Sequence, residues 1–270
     1  FSTHARPDGS LIPLNDTALI GMARRARVAP MMVVTNMGED GGFNSDLAHP
    51  ILTDQDVQKN YIQNVMQTLK SKNYLGLDVD FEYVFPDDRE AYNAFLKKIS
   101  EKLHAGGYTL TTALAPKKSD DQRGLLYTAH DYALHGEISD HVIIMTYEWG
   151  YTRGPAMAVA PLDQVKEVLE YAASVIPSGK ILMGIPNYGY DWTLPFEKGT
   201  SARSLSNMEA VELAHGIGVS IEYDAESRSP YFTYYDEDKK RHEVWFGDAR
   251  SIRASLALVH CCQVLASRCG

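Results

Sequence analysis

Two periodicities take turns along this chain of 270 residues, and their alternation limits the folds open to it more than any other feature. Strand-like runs recur at PMMVVTN (30–36), LGLDVDFEY (75–83), YTLTTALAP (108–116), HVIIMTYEW (141–149) and KILMGIPNYGY (180–190). Between them, apolar residues fall at helical spacing. Val57, Tyr61, Ile62, Val65, Met66 and Leu69 form one stripe. Tyr92, Phe95, Leu96, Ile99 and Leu103 form another, opened by Pro86, Asp87 and Asp88 and closed by Gly106 and Gly107. A third covers 162–174. Strand and helix in strict alternation, with short turns, predict a parallel sheet with helical crossovers. Several such units in one long α/β domain point to a TIM (β/α)8-type barrel rather than an open doubly wound sheet. The first strand is not followed by a glycine-rich phosphate loop, which weakens a nucleotide-binding alternative. Residues 218–246 break the rhythm with short alternating runs and a turn at Asp236–Lys239. They predict a small inserted subdomain at about 193–243 within a single domain over 1–270.

Composition excludes some partners. A hydrophobic content of 44% supplies a full core for a domain of this length. A net charge of −9 argues against nucleic acid, whose phosphates need clustered Lys and Arg. No apolar run approaches the ~18 residues needed to span a bilayer. The chain opens at FSTHARPDGS without Met or a signal-peptide pattern, which reads as a mature or trimmed piece. Cys261, Cys262 and Cys269 crowd the last ten residues and imply neither a disulfide framework nor a zinc site.

The acidic strand carries the chemistry. Leu77, Val79, Phe81 and Tyr83 alternate with Gly76, Asp78, Asp80 and Glu82, so one face is apolar and the other acidic. In a parallel barrel the apolar face meets the helices and the acids point inward. Same-face neighbours on a strand stand about 6.6–7 Å apart. Carboxylates that close do not all ionise freely, and at least one keeps its proton near neutral pH. Glu82, nearest the C-terminal end of the strand, sits where barrel enzymes place their chemistry. Paired carboxyls around a leaving oxygen are the equipment of glycoside hydrolysis. A solvated acidic face or a metal site accounts for the same spacing, although no His or second acidic cluster is committed to this strand.

GLDVDFEY resembles the signature strand of family 18 glycoside hydrolases, the chitinase-like enzymes, through its Asp-x-Asp-x-Glu core. Other segments agree in order. IIMTYEWGY (143–151) resembles the sixth-strand Met-x-Tyr motif, and MGIPNYGYDW (183–192) the seventh strand. RSPYFTYYDEDKKRHEVWF (228–246) is similar to the family's inserted small domain and its returning strand. These variant forms resemble the bacterial spore-cortex and peptidoglycan-acting branch more than typical chitinases.

The resemblance implies roles residue by residue. Glu82 matches the general acid. Asp80 would orient the substrate's 2-acetamido group, whose oxygen attacks the anomeric carbon to give an oxazolinium ion, and Asp78 would share charge or a proton with Asp80. Tyr147 would donate its hydroxyl to the acetamido oxygen. Met145 would floor the acetamido methyl, and Glu148 would bind a sugar hydroxyl. Trp149, Tyr188, Tyr190 and Trp192 are candidates for stacking on sugar rings, and Asn36, ending the first clear strand, for a polar contact. The substrate implied is an N-acetylglucosamine-containing glycan, peptidoglycan or chitin-like, with no metal or organic cofactor. The location implied is extracytoplasmic, at a bacterial cell wall or spore. A non-catalytic glycan-binding module of the same fold is the alternative outside enzymes.

The sequence departs from the family pattern at three places. Leu75 stands where a further Asp usually precedes the Gly. The family's first strand belongs just before FSTHARPDGSL, where only its tail is present, and CCQVLASRCG stands where an eighth strand with a floor Trp belongs. The barrel is therefore expected to lack strands one and eight, leaving an open edge through which copies could associate.

Overall fold

A computed structural model of the chain describes residues 2–38 and 40–269. The chain divides into two compact units, Phe1–Ile143 with Ser174–Ile181, and Ile144–Ala173 with Leu182–Gly270.

The first unit alternates strand and helix as its sequence predicts. It contains β1 (Ser2–His4), α1 (Thr17–Arg25), β2 (Met32–Thr35), α2 (Ser45–Thr53), α3 (Gln55–Lys72), β3 (Gly76–Asp80), α4 (Arg89–Ala105), β4 (Thr109–Leu114), α5 (Tyr132–Ile138) and β5 (His141–Ile144). Strands β1 to β4 pair in chain order and all in parallel, with Ser2 opposite Val33, Val33 opposite Asp78, and Asp78 opposite Thr111. Helix α3 begins where the Asp54 carboxylate accepts the backbone N–H groups of Asp56 and Val57, and it ends on Asn73 in the left-handed region at φ 56°. The predicted stripe of α4 is buried in full, from Tyr92 to Leu103. Leu77, Val79 and Phe81 are 0% exposed on the apolar face of the acidic strand. Phe81 stacks on Phe95 at 6.2 Å and on Tyr92 at 5.9 Å between ring centres. Burying an aromatic or aliphatic side chain of this size contributes about 1.5–3 kcal/mol, so this face fixes the register and leaves the acids on the opposite one. Gly76 is obligatory at the start of β3, because a Cβ there would lie 2.2 Å from the Thr109 carbonyl oxygen.

The second unit contains α6 (Leu162–Val175), β6 (Ile181–Pro186), β7 (Tyr188–Leu194), β8 (Arg203–Ser206), α7 (Asn207–Ile217), β9 (Glu222–Asp224), β10 (Ser229–Tyr235), β11 (Arg241–Trp245), α8 (Ala249–Cys262) and β12 (Leu265–Cys269). A five-stranded antiparallel sheet runs in the order β8-β7-β11-β10-β9. Leu205, Ala210, Ala214, Phe232, Val244 and Phe246 form its core with α7. The helix is held at its start by a reciprocal pair of bonds between Ser206 and Glu209.

One expectation is corrected here. Both outer strand positions are filled. Ser2–His4 runs beside β2, and Leu265–Cys269 runs parallel to β6 with Leu265 opposite Leu182. Each is short and poor in large apolar residues, so neither carries the alternating apolar pattern that marks a strand in a sequence. The two strands expected to be missing are therefore present as short segments paired with β2 and β6. Among the described residues no helix is long and apolar enough to cross a membrane.

Candidate active site

In the first unit, β3 carries Asp78 and Asp80 on its polar face and ends just before Glu82. Asp78 is buried, and Asp80 is half-buried with its Oδ1 enclosed; neither Oδ1 has a hydrogen-bond partner within the protein. Burial, and then the neighbouring Asp80 charge, push the Asp78 carboxyl up to about 7. Burial pushes Asp80 up to about 6. Two carboxyls on alternate positions of one strand thus hold protons well into the range where free ones are ionised. Such a pair can share a proton and supply a carboxylate that has been kept from water. Opposite Asp78 on the same face lies Thr111, which is also buried.

Glu82 is half-buried just past the end of the strand. Its backbone is held by one side chain: the Asn36 amide donates to the Glu82 carbonyl at 2.7 Å and accepts the Glu82 N–H at 3.0 Å. Asn36 also donates to the Asn44 carbonyl at 3.0 Å and is 0% exposed. Its expected contact with substrate is therefore corrected, since its donors are committed to backbone and it is withdrawn from solvent. Tyr83 follows in the left-handed region at φ 53°, and its carbonyl accepts from Ser45 Oγ. Leu75, at the position of the absent Asp, is exposed and donates its N–H to the Pro30 carbonyl.

In the second unit, the chain bends sharply after β5. Thr146 N–H returns to the Ile144 carbonyl and Tyr147 N–H to the Met145 carbonyl, each at 2.9 Å. Thr146 Oγ1 donates to the Gly184 carbonyl at 2.7 Å. Gly184 makes room for Tyr147, since a Cβ there would fall 2.6 Å from the tyrosine ring. Met145 is buried and Tyr147 half-buried. Glu148 is exposed and sits at φ 68°, a strained backbone for a residue with a long side chain. Tyr188 and Tyr190 both donate to its Oε1, at 2.5 and 2.7 Å. Burial first, and then this carboxylate, raise both phenols above their ordinary range. Trp149 is half-buried and its backbone N–H donates to the Val159 carbonyl.

Trp192 is placed differently from the sequence expectation. It is 2% exposed, donates its indole N–H to the Gly154 carbonyl at 2.9 Å, and packs edge-on against Tyr190. A ring so enclosed has no face left for a sugar, so Trp192 supports the Glu148 tyrosines from behind. Two residues escaped the sequence reading. His130 and Ser45 both grip the backbone beyond β3, and each lies outside the periodic runs, where a lone polar residue carries no local signal.

The chain is similar in sequence and fold to known proteins. The sequence pattern of glycosyl hydrolases family 18 matches residues 31–265. A cortical fragment-lytic enzyme of Bacillus anthracis is 44% identical over 96% of this chain and 60% of its own length. That of Bacillus subtilis (strain 168) is 42% identical over the same shares. The crystal structure of the Bacillus cereus spore cortex-lytic enzyme SleL superposes with a TM-score of 0.95 at 43% identity, covering 100% of this chain and 62% of that one. A chitinase from Chromobacterium violaceum superposes at 0.91 with 26% identity, covering 99% and 84%. The chain spans about 60% of the length of the curated cortical fragment-lytic relatives it matches. With the acid-bearing strand, the parallel α/β architecture and a match that covers most of its length, the chain belongs to glycosyl hydrolases family 18.

Proposed function

We propose that the chain is a retaining glycoside hydrolase that cleaves N-acetylglucosaminyl linkages in peptidoglycan, the spore cortex in particular, by substrate-assisted catalysis. The observation that carries this reading is the row of acids at the end of β3, with two buried carboxyls whose Oδ1 atoms no protein group satisfies. An acetamido N–H and a shared proton are the partners such atoms lack. In this reading the Glu82 carboxyl gives its proton to the glycosidic oxygen as the C–O bond breaks. The substrate's acetamido oxygen forms the new bond to the anomeric carbon, and Asp80 balances the positive charge that develops. Asp78 takes up charge or proton from Asp80. Tyr147 donates to the acetamido oxygen. Glu82, now a carboxylate, then accepts a proton from water as water opens the oxazolinium ion. Met145 and Glu148 bind the sugar in this scheme, with Tyr188 and Trp149 beside them. The work is done at a wall or spore.

The test is release of reducing ends from purified cortex fragments by the chain and by its Glu82→Gln variant. Turnover by the chain alone is expected, with the variant reduced by at least about 10²-fold. No turnover by a folded wild-type chain would overturn the hydrolase reading in favour of a glycan binder. The likeness to a chitinase at 26% identity favours a second reading, cleavage of chitooligosaccharides. Turnover of those but not of cortex would select it.

A further inference from the structure

Asp80 is the last residue of β3, so the peptide groups that follow have left the ladder that aligns the strand. They carry Glu82, and a strand-end segment with unpaired groups would be free to swing. Side chains from two other segments take the place of strand partners. On one side, Asn36 follows β2 and its amide makes both backbone bonds to Glu82, as a neighbouring strand would. On the other, His130 comes from the loop before α5. Its Nδ1 accepts the Ala115 N–H at 2.8 Å, which puts the ring proton on Nε2, and Nε2 donates to the Phe81 carbonyl at 2.9 Å. One ring thus joins the end of the acidic strand to the end of β4.

The surroundings fix this tautomer. His130 is 1% exposed. Burial, with the Lys117 charge adding to it, lowers its pKa to about 4 against the bond to Phe81. The Lys117 ammonium donates to the His130 carbonyl at 3.0 Å and to Asp120 at 3.1 Å, while Arg89 pairs with Asp120 and with Asp131 at 3.0 and 2.7 Å. The loop that presents His130 is therefore tied to the start of α4, and the imidazole stays neutral in the range where a glycosidase works. An imidazolium could not accept the Ala115 N–H.

We propose that Asn36 and His130 are positioning residues that together set the direction in which Glu82 presents its carboxyl to the leaving oxygen. This rests on the reading of Glu82 as general acid. Its consequence concerns one chemical demand. A sugar alkoxide is too basic to depart, so a glycan leaves as the alcohol once a well-placed acid gives it a proton, whereas a 2,4-dinitrophenolate leaves without one. Misdirection of Glu82 therefore slows the first substrate and spares the second.

The experiment measures kcat/KM, which ends at the first bond cleavage, for cortex fragments and for a 2,4-dinitrophenyl glycoside of di-N-acetylchitobiose. The variants are His130→Phe, which keeps a ring and loses both bonds, and Asn36→Asp, which keeps the acceptor and loses both donors. On cortex fragments each is expected to fall by about 10- to 100-fold, the scale of a small misplacement of a reacting group. On the aryl glycoside each is expected to stay within about threefold of wild type. A partly unfolded variant loses both activities by the same factor, so the ratio is insensitive to folded fraction. His130→Gln can accept from Ala115 and donate to Phe81, and is expected to recover most of the loss. Equal losses on both substrates, or no recovery by Gln, would overturn the positioning role while leaving the hydrolase reading intact. A wild-type chain that cleaves neither substrate would overturn both.

Discussion

Asp78 keeps a proton that an aspartate in water would give up, and this has a consequence for stability as well as chemistry. Its carboxyl titrates at 3.8 when free and at about 7 in the folded chain, chiefly because it is buried. Below about pH 4 both folded and unfolded chains hold the proton, and the group has no effect on the balance. Between about 4 and 7 the unfolded chain releases the proton and the folded chain keeps it. The folded state then binds more protons, so its stability falls as pH rises through this window and levels off above it. Asp80, raised to about 6 by burial, acts in the same direction. Asp78→Asn has no proton to release. The variant is therefore expected to gain melting temperature over wild type steadily from pH 4 to about pH 8, as thermal unfolding across that range would measure. Parallel curves for the two chains would mean that Asp78 ionises in place without cost. In the proposed mechanism the buried orphan atom is the price of a carboxylate ready for substrate, so Asp78→Asn should stabilise the protein while harming turnover.

At the scale of elements, the antiparallel sheet is joined by a buried acid rather than by apolar contact alone. Asp191 of β7 is 5% exposed; it accepts from His242 Nδ1 of β11 and from the Tyr234 hydroxyl of β10, each at 2.8 Å. Three consecutive strands in the sheet thus meet at one carboxylate. Asp191→Ala leaves two half-buried partners without this acceptor, at most about 1–3 kcal/mol for each. Its urea midpoint should drop with the slope unchanged, and Asp191→Asn, which keeps one acceptor, should drop less. The sequence writes some elements plainly and hides others for physical reasons. The acidic strand is readable because a period of two records both faces at once, and Leu77, Val79 and Phe81 lie on the buried face as that period predicts. Helix α4 is readable because its whole stripe is apolar. The outer strands β1 and β12 are three and five residues long, and their backbone pairing leaves no mark on composition. The roles of Asn36 and His130 are hidden for a related reason. Each bonds to peptide groups tens of residues away, and those groups are the same in every sequence.

At the scale of the whole molecule, charge makes a distinction that neither the acids nor the aromatics make. The chain carries 35 acidic and 26 basic side chains, a net −9. On the proposed reading the substrate is cortex glycan, whose peptide branches bear carboxylates, so chain and substrate carry charge of the same sign. A neutral N-acetylated chitooligosaccharide does not. Like charges slow encounter without altering the bond-breaking step, and salt shortens the reach of that repulsion to about 10 Å at 0.1 M. Raising ionic strength from about 10 to about 150 mM should therefore increase kcat/KM on cortex fragments severalfold, with kcat unchanged. The neutral oligosaccharide should show no such dependence. A fall with salt on cortex fragments would mean that cationic side chains dominate the field where the glycan binds, so that the excess of acids lies away from it. Salt dependence on the neutral oligosaccharide would point instead to an effect on the protein itself. Measuring the two substrates together separates a field acting between molecules from one acting within the fold.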